Sequence, residues 1–272
     1  MWIIAKLPLS ILIILLYSIP RRSRANRKWT FHQAVGPALF EIYWSYLTTI
    51  RYRTPKTLKP AWEKDSFIVI EPSSAQLGNP SPYRGIVTKD PDIRPIPIGA
   101  VWYTHPPPAP EIEIQKLVVI HFHGGAYVLG GARPLEGGWG PVVLSEALSC
   151  SVIQPQYRLA VEPKSYFPAA LQDGITAYSY VLNVLKVQAR DVVLSGDSAG
   201  GNIVMAMLRY LSSESALPLP RAALLWSPWL NLATTLEEID GHRNRKTDWI
   251  FGSLASWGSS EYTPPDWLSS HP

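Results

Sequence analysis

Four short apolar runs, separated by segments long enough to be helices, constrain the fold of this chain more than any other feature. A continuously apolar run of this length is typical of a strand that is covered on both faces. Strands that alternate with helices across short connections predict a mostly parallel, doubly wound sheet with helices on both faces. The runs are 116–121, 151–154, 191–196 and 222–226, and the helical segments are 141–148, 168–187 and 198–211.

Other segments extend this pattern toward both ends of the chain. Residues 67–70 and 99–103 are rich in β-branched and aromatic side chains, which predicts two more strands. Apolar residues recur at roughly helical spacing over 29–50, which predicts an amphipathic helix. The tail over 240–272 is polar and weakly patterned, so we expect at most one short helix there, near 249–257.

Composition limits the class of protein. The chain has 272 residues, of which 46% are hydrophobic and 17% charged, and this excludes disordered, collagen-like and coiled-coil proteins. The length suits one large α/β domain or two small ones. Cys150 is the single cysteine, which rules out an intrachain disulfide and a zinc site built on cysteines.

Charge is distributed unevenly along the chain. Residues 1–64 contain 11 Lys/Arg and 2 Glu, a net +9, whereas residues 65–272 contain 14 Lys/Arg and 19 Asp/Glu, a net −5. A basic arm on an acidic body suggests either nucleic acid or an anionic membrane surface as a partner. The adjoining apolar run favours the membrane over nucleic acid.

That apolar run extends from Trp2 to Pro20 and is interrupted only by Lys6. At 1.5 Å per residue it is nearly long enough to cross a hydrocarbon core of about 30 Å. Basic residues follow the run and no A-x-A site is present, which favours an uncleaved membrane anchor over a signal peptide. The positive-inside rule then places the downstream body in the cytosol. A buried N-terminal helix is the alternative.

A G-x-S-x-G pentapeptide lies between the run at 191–196 and the helical segment that follows it. Gly196, Asp197, Ser198 and Gly200 belong to it. In a nucleophile elbow the strand turns so sharply into a helix that side chains at the two glycine positions would clash, and the strained serine hydroxyl stands above the sheet. Ser198 is therefore the candidate nucleophile. A plain Ser/Gly turn with a helix cap stays open as the alternative.

A second group of residues, HFHGGAY over 121–127, directly follows the run at 116–121. The Gly124-Gly125 backbone has no side chains, so its N–H groups can approach a substrate oxygen closely and, with the N–H of Ala199, form an oxyanion hole. A metal pair of His121 and His123 is disfavoured, because i,i+2 positions on a strand end face opposite ways and no third ligand adjoins. We expect His123 to fix the loop by hydrogen bonds.

Taken together, these motifs resemble the hormone-sensitive-lipase-like group of α/β hydrolases. The resemblance is dense from Phe67 to Trp229, and it departs from the family pattern at Val161, where a proline is usual. The segments that carry it, in family order, are HFHGGAY at 121–127, YRLA at 157–160 with Glu162, FPAA at 167–170 with Asp173, GDSAGGN at 196–202 and LWSPW at 225–229.

The resemblance implies an α/β-hydrolase fold with an N-terminal helical lid and an esterase that needs no cofactor, and the apolar run over 2–20 adds the expected membrane anchor. Ser198 would attack a small-molecule acyl ester, and a histidine oriented by an Asp or Glu would act as the base. Arg158, Glu162 and Asp173 would form a structural network. Together with the apolar run and the charge distribution, the resemblance predicts an anchor over 1–20, a basic collar and lid helix over 21–64, and a hydrolase domain over 65–272. The anchor would lie in the endoplasmic reticulum membrane.

The triad acid and histidine are not found in the chain. In this fold they follow the nucleophile on further strands, but no acid or histidine after Ser198 follows a strand-like run, and Asp240 with His242 lies in a polar loop. His271-Pro272 matches the start of a family segment that precedes the strand with the acid. We therefore expect the acid and histidine to lie beyond this sequence and the chain to be weak or inactive. A non-catalytic relative that binds a small molecule is the alternative.

Overall fold

The computed structural model describes residues 2–73, 81–103, 117–214, 217–248 and 250–265. The chain forms two compact units. The first, which we call the N-terminal unit, comprises Met1–Tyr52 and Asn231–Ser260, and the second, the sheet unit, comprises Arg53–Leu230 and Glu261–Pro272. The predicted domains over 1–20, 21–64 and 65–272 stay a prediction.

The sheet unit is built on six strands in the order β1-β2-β4-β3-β5-β6. Strands β4, β3, β5 and β6 are parallel to one another, whereas β2 pairs antiparallel with both β1 and β4. This confirms the predicted α/β-hydrolase fold with a mostly parallel sheet. The strands are β1 (Phe67–Ile70), β2 (Ile98–Tyr103), β3 (Val118–Phe122), β4 (Ser151–Gln156), β5 (Val192–Asp197) and β6 (Ala222–Trp226).

The central strands form the core of this unit. All residues of β3 and β4 are buried, as are five of the six in β5, which explains their apolar sequences. Strand β6 is different, because Leu224 and Leu225 are more than a third exposed although its sequence is equally apolar. The prediction that 222–226 is covered on both faces is therefore wrong. Among the described residues β6 pairs only with β5 and lies at the edge of the sheet.

Helices connect the strands and pack against the sheet. Helix α5 is buried along its whole length, and α6 packs against β5 and β3. The predicted helix over 168–187 is shorter than expected, because the α-helix ends at Ser179 and continues as a single π turn. The helices of this unit are α3 (Pro134–Gly137), α4 (Trp139–Leu148), α5 (Ala169–Ser179) and α6 (Ala199–Ser213).

The N-terminal unit is helical. Its helices are α1 (Trp2–Ser18), α2 (Phe31–Thr49), α7 (Leu236–Asp240) and α8, which extends over Gly252–Tyr262 and so ends in the sheet unit. Helix α2 confirms the helix predicted over 29–50. In the tail over 240–272 the described residues form one helix, α8, which confirms the expectation of a single helix although it begins and ends later than 249–257. Helix α7 precedes most of this tail and starts at a capping box formed by Thr235 and Glu238.

The N-terminal helix differs from both expectations for residues 1–20. Helix α1 contains Pro8, and no helix in the described ranges combines the length and hydropathy that crossing a bilayer requires. The predicted membrane-spanning anchor is therefore not supported. The alternative of a buried helix is also wrong, since Leu9 and Leu16 are 60% and 57% exposed.

Candidate active site

Ser198 lies at the junction of β5 and α6, where it is the residue before the first turn of the helix. Its backbone has φ 49° and ψ −115°, a conformation that L-residues rarely adopt and that costs about 1–3 kcal/mol. Hydrogen bonds hold it there: its N–H donates to the carbonyl of Trp226 at 3.0 Å, and its carbonyl accepts from the N–H of Trp229 at 2.9 Å. The predicted strained turn is present at this serine.

The close approach of β3 to this turn requires a glycine. A Cβ on Gly200 would collide with the backbone carbonyl of Phe122, which is the last residue of β3. Parallel pairing of β3 with β5 aligns Phe122 with Gly196, so the turn after β5 and the loop after β3 leave the same edge of the sheet. The two predicted motifs therefore meet at one place.

The loop after β3 passes directly beside Ser198. A Cβ on Gly124 would lie 3.2 Å from the Cβ of Ser198 and would collide with the carboxylate of Asp197. Gly125 follows with φ 115°, which is outside the range that other residues readily adopt. The backbone of Gly124 and Gly125 therefore has space next to the serine that no other residue pair would leave.

His123 and Tyr157 fix the direction of this backbone. The Nδ1 of His123 donates to the carbonyl of Gly124 at 2.7 Å, and the hydroxyl of Tyr157 donates to the carbonyl of His123 at 2.8 Å. The two rings stack with centroids 4.3 Å apart. Because the Gly124 carbonyl and the Gly125 N–H belong to one planar peptide and point in opposite directions, fixing the carbonyl also fixes the N–H.

The surroundings of His123 disfavour its protonated form. Burial, and then the nearby Lys56 ammonium, hold the pKa of His123 well below its ordinary value of 6.5. Lys56 donates to the carbonyl of Gly130 at 3.1 Å, and burial lowers its own pKa to about 8. A neutral His123 can be a donor at one ring nitrogen only, which matches the hydrogen bond from its Nδ1 to the Gly124 carbonyl.

His121 and Asp197 lie beneath the turn. The Nδ1 of His121 is 3.1 Å from the hydroxyl of Ser195, and its Nε2 is 3.5 Å from a carboxylate oxygen of Asp197. His121 is buried and Asp197 is partly exposed. The side chains of His121 and His123 therefore have different partners, which agrees with the argument against a shared metal ion.

The predicted structural network forms only in part. Arg158 contacts the fully buried carboxylate of Asp173 at 2.7 Å and also donates to the side chain of Gln172 at 2.9 Å. Burial raises the pKa of Asp173 despite this ion pair. Glu162 is exposed, and the ion pairs of the described residues do not include it. These contacts pin α5 to the end of β4 and do not reach Ser198.

No histidine ring hydrogen-bonds to the Ser198 hydroxyl within the described residues. His242 is exposed and its Nδ1 accepts from the N–H of Asn244, while the neighbouring Asp240 pairs with Arg245 at 3.4 Å. His271 lies outside the described residues. The structure thus brings Ser198, Gly124, Gly125 and Ala199 together without a base from the described part of the chain.

Sequence reasoning missed two side chains near this site. Asn202 accepts from the hydroxyl of Tyr127 at 2.6 Å and donates to the carbonyl of Trp229 at 2.9 Å, so it ties the loop after β3 to the segment after β6. Its place in GDSAGGN, one turn after Ser198, was a usable signal. Lys56 had no such signal, because it lies 74 residues from its partner Gly130 in an irregular segment.

Comparisons with known proteins agree with this geometry. A family model described as the α/β hydrolase fold matches residues 119–272. Among curated proteins, an acetyl-hydrolase of Streptomyces hygroscopicus is 37% identical over 128 residues, which are 47% of this chain and 40% of that protein. Neutral cholesterol ester hydrolase 1 of Bos taurus is 33% identical over 116 residues, or 41% of this chain and 28% of that protein. The matched region spans less than half the length of these relatives.

Solved structures match over most of this chain. An esterase from the bacterial hormone-sensitive lipase family superposes with a TM-score of 0.52 at 22% identity, covering 96% of this chain and 72% of that one. A hyperthermophilic esterase from Pyrobaculum calidifontis gives a TM-score of 0.56 at 18% identity, covering 97% and 72%. At these identities the likeness establishes the fold.

Proposed function

Since this chain belongs to the α/β hydrolase family and within it to the hormone-sensitive-lipase-like carboxylesterases, we propose that it hydrolyses small-molecule acyl esters through Ser198. The observation that carries this proposal is the strained Ser198 at the start of α6, directly beside the Gly124-Gly125 backbone. A structural Ser/Gly turn would need neither the strain nor a side-chain-free loop next to it.

In the proposed reaction, the Ser198 oxygen attacks the ester carbonyl and the alcohol leaves with a proton. The N–H groups of Gly124, Gly125 and Ala199 stabilise the negative oxygen of the tetrahedral intermediate, and one such donor contributes about 2.7–4 kcal/mol. Water then attacks the acyl-enzyme, which releases the acid and restores the serine hydroxyl. The positive end of α6 also favours the negative oxygen, since Ala199 begins that helix.

Both steps need a group that accepts the serine or water proton. Because no described histidine hydrogen-bonds to Ser198, we expect residues 1–272 alone to turn over slowly. Loss of a triad base lowers the rate by a factor on the order of 10⁶. The oxyanion donors serve both steps, so an activated ester is the substrate for which acylation should outpace deacylation: p-nitrophenolate leaves without needing a proton, whereas the water that attacks the acyl-enzyme must lose one.

The class of substrate follows from the chemistry and from the names of the relatives. One matched relative is the acetyl-hydrolase described above. Another is an esterase of Acinetobacter venetianus, which is 30% identical to this chain over 150 residues. We therefore propose esters with a short acyl group, such as acetyl, as the first substrates to test.

Release of p-nitrophenolate from p-nitrophenyl acetate tests this proposal. Slow release should disappear in Ser198→Ala and persist in Ser212→Ala, whose serine is exposed near the end of α6 and donates to the carbonyl of Arg209. Release that survives Ser198→Ala would overturn the assignment of the nucleophile. Rapid Ser198-dependent turnover would overturn only the expectation of weak activity.

A second function is favoured by the absence of a described base at Ser198: binding of an ester or acid in the same site without catalysis. Its signature is saturable quenching of tryptophan fluorescence by p-nitrophenyl acetate with no release of p-nitrophenolate. In that case Ser198→Ala should leave binding unchanged, whereas Gly124→Val should abolish it by filling the space beside the serine.

A further inference from the structure

Helix α1 presents one continuous apolar face to solvent. Its exposed positions recur at intervals of four residues, as on one side of an α-helix. The exposed fractions of Leu9, Leu16 and Tyr17 are 60%, 57% and 67%. The face as a whole, which we call the α1 stripe, consists of Pro8, Leu9, Leu12, Ile13, Leu16 and Tyr17. Six neighbouring apolar residues make a patch that a soluble surface rarely leaves uncovered.

The opposite side of α1 is already occupied. Helices α1 and α2 pack against each other, and Ser18 at the end of α1 is buried. Arg24 closes the connection by donating to the carbonyls of Ser18 at 2.8 Å and Trp29 at 2.7 Å. A capping box between Thr30 and Gln33 then starts α2. The two helices thus form a defined hairpin, of which α1 leaves only the stripe free for a partner.

Positive charge stands next to the stripe. Arg21, Arg22, Arg27 and Lys28 are exposed in the connection between the two helices, and we call them the basic turn. The first 40 residues contain no Asp or Glu. The first acid, Glu41, pairs with Arg245 within the same unit. Attractive contacts from the basic turn therefore require an anionic partner.

We propose that the α1 stripe and the basic turn form a docking surface for an anionic lipid membrane, with α1 lying along the membrane surface. An apolar helix face beside a row of Arg and Lys is the arrangement that interfacial helices use. Tyr17, at the end of the stripe that adjoins the basic turn, is a residue type that prefers the boundary between hydrocarbon and headgroups. The partner is the lipid surface and not a second copy, because residues 1–40 of a second copy have no Asp or Glu with which the basic turn could pair.

The charges of the basic turn set how strongly the protein should bind to anionic vesicles. Each Lys or Arg close to an anionic leaflet strengthens binding about fivefold at physiological salt. Neutralising the four residues of the basic turn should therefore weaken binding to anionic vesicles by at least about a hundredfold, while salt should weaken the unmodified protein. This inference is independent of the esterase proposal, because none of its residues adjoins Ser198 in the chain.

Flotation of the full chain with vesicles of phosphatidylcholine alone, or with 30% phosphatidylserine, tests the proposal (about this fraction gives a strongly negative surface). Two variants are required: Arg21→Gln/Arg22→Gln/Arg27→Gln/Lys28→Gln, and Leu12→Gln/Leu16→Gln. The matched control is Leu135→Gln/Leu219→Gln, which changes two exposed leucines of the sheet unit. Circular dichroism establishes that each variant is folded.

We expect binding to phosphatidylserine vesicles that both test variants lose and the control keeps. Equal binding to neutral vesicles, or no binding by the unmodified chain, would overturn the proposal. So would protein that stays in vesicles after carbonate extraction, which indicates a span. A dimer that Leu12→Gln/Leu16→Gln converts to monomer, without vesicle binding, would assign the stripe to a second copy instead.

Discussion

Strands β5 and β6 are neighbours in one sheet and similarly apolar, yet they differ in what surrounds them. Leu194 in β5 is fully buried between β3 and β6, whereas Leu224 in β6 is 36% exposed. Strand β5 also leads directly into Ser198. The difference teaches that the candidate site is built on the buried centre of the sheet and not on its exposed edge, so the packing around it can hold a strained turn in place.

The largest effect is expected on the free energy of unfolding when each of these two leucines is replaced by alanine. Leu194→Ala should lower the free energy of unfolding by about 2–5 kcal/mol, because it leaves a cavity at a covered face of the sheet. Leu224→Ala should lower it by less than about 1 kcal/mol, since part of this side chain is already in water. Urea denaturation of both variants measures the two values. Equal losses would mean that β6 is covered as completely as β5.

The next effect concerns the loop beside Ser198. Gly124→Ala places a methyl group against Asp197 and close to Ser198, so the oxyanion donors shift and acylation should slow by about 10²–10³. The Asp197 side chain is 44% exposed and can move away, so the fold should be retained.

Gly36→Ala is the matched control for this variant, because nothing lies within 4 Å of a Cβ there. Stopped-flow measurement of p-nitrophenyl acetate cleavage, with thermal unfolding in parallel, separates the two properties. Normal acylation by Gly124→Ala would contradict the assignment of this loop as the oxyanion hole.

A smaller effect is expected in acid. Because burial holds the pKa of His123 well below 6.5, the unfolded chain binds a proton that the folded protein excludes. The free energy of unfolding should therefore fall by about 1.4 kcal/mol per pH unit below pH 6.5, until His123 also titrates in the folded state. His123→Asn should remove this contribution, whereas His242→Asn, at an exposed position, should not. If the free energy of unfolding fell equally with decreasing pH in His123→Asn and in the unmodified protein, this would contradict a neutral, buried His123.

The smallest effect is expected in alkali. Burial lowers the pKa of Lys56 from its ordinary value of 10.5 to about 8 in the folded protein, so the unfolded chain binds the proton more tightly. The contribution of Lys56 to the free energy of unfolding should then rise with pH between about 8 and 10.5. Lys56→Met should lack this rise, and Lys59→Met, which changes an exposed lysine, should retain it. Denaturation curves at pH 7.5 and 9.5, values on either side of the folded pKa, give the comparison.

The sequence predicts what depends on short segments and misses what depends on distant ones. The turn at Ser198 and the Gly124-Gly125 loop follow from local backbone requirements, so their motifs located them correctly beside one sheet edge. Apolar character alone could not separate β6 from β5, because whether a strand is central or at an edge depends on its neighbours. Lys56 reaches the loop from 74 residues away, and no local pattern announces such a contact.

The N-terminal helix is a second case in which a local pattern does not reveal a contact between distant residues. A run of apolar residues over 2–20 predicts a membrane span from composition, but the packing of α1 on α2 decides which of its side chains are free. The capping box at Thr235 and Glu238 was, in contrast, readable from the sequence, since the T-x-x-E spacing is a local signal.

The central claim is that Ser198 is the nucleophile of an acyl-transfer site. Peptide mapping by mass spectrometry after incubation with p-nitrophenyl acetate tests it most directly, because a slow deacylation step leaves the acetyl group on the protein. We predict a single acetylated peptide that contains Ser198, absent from Ser198→Ala and greatly reduced in Gly124→Ala. Acetylation at another serine or at Lys56, with Ser198 unmodified, would contradict the claim.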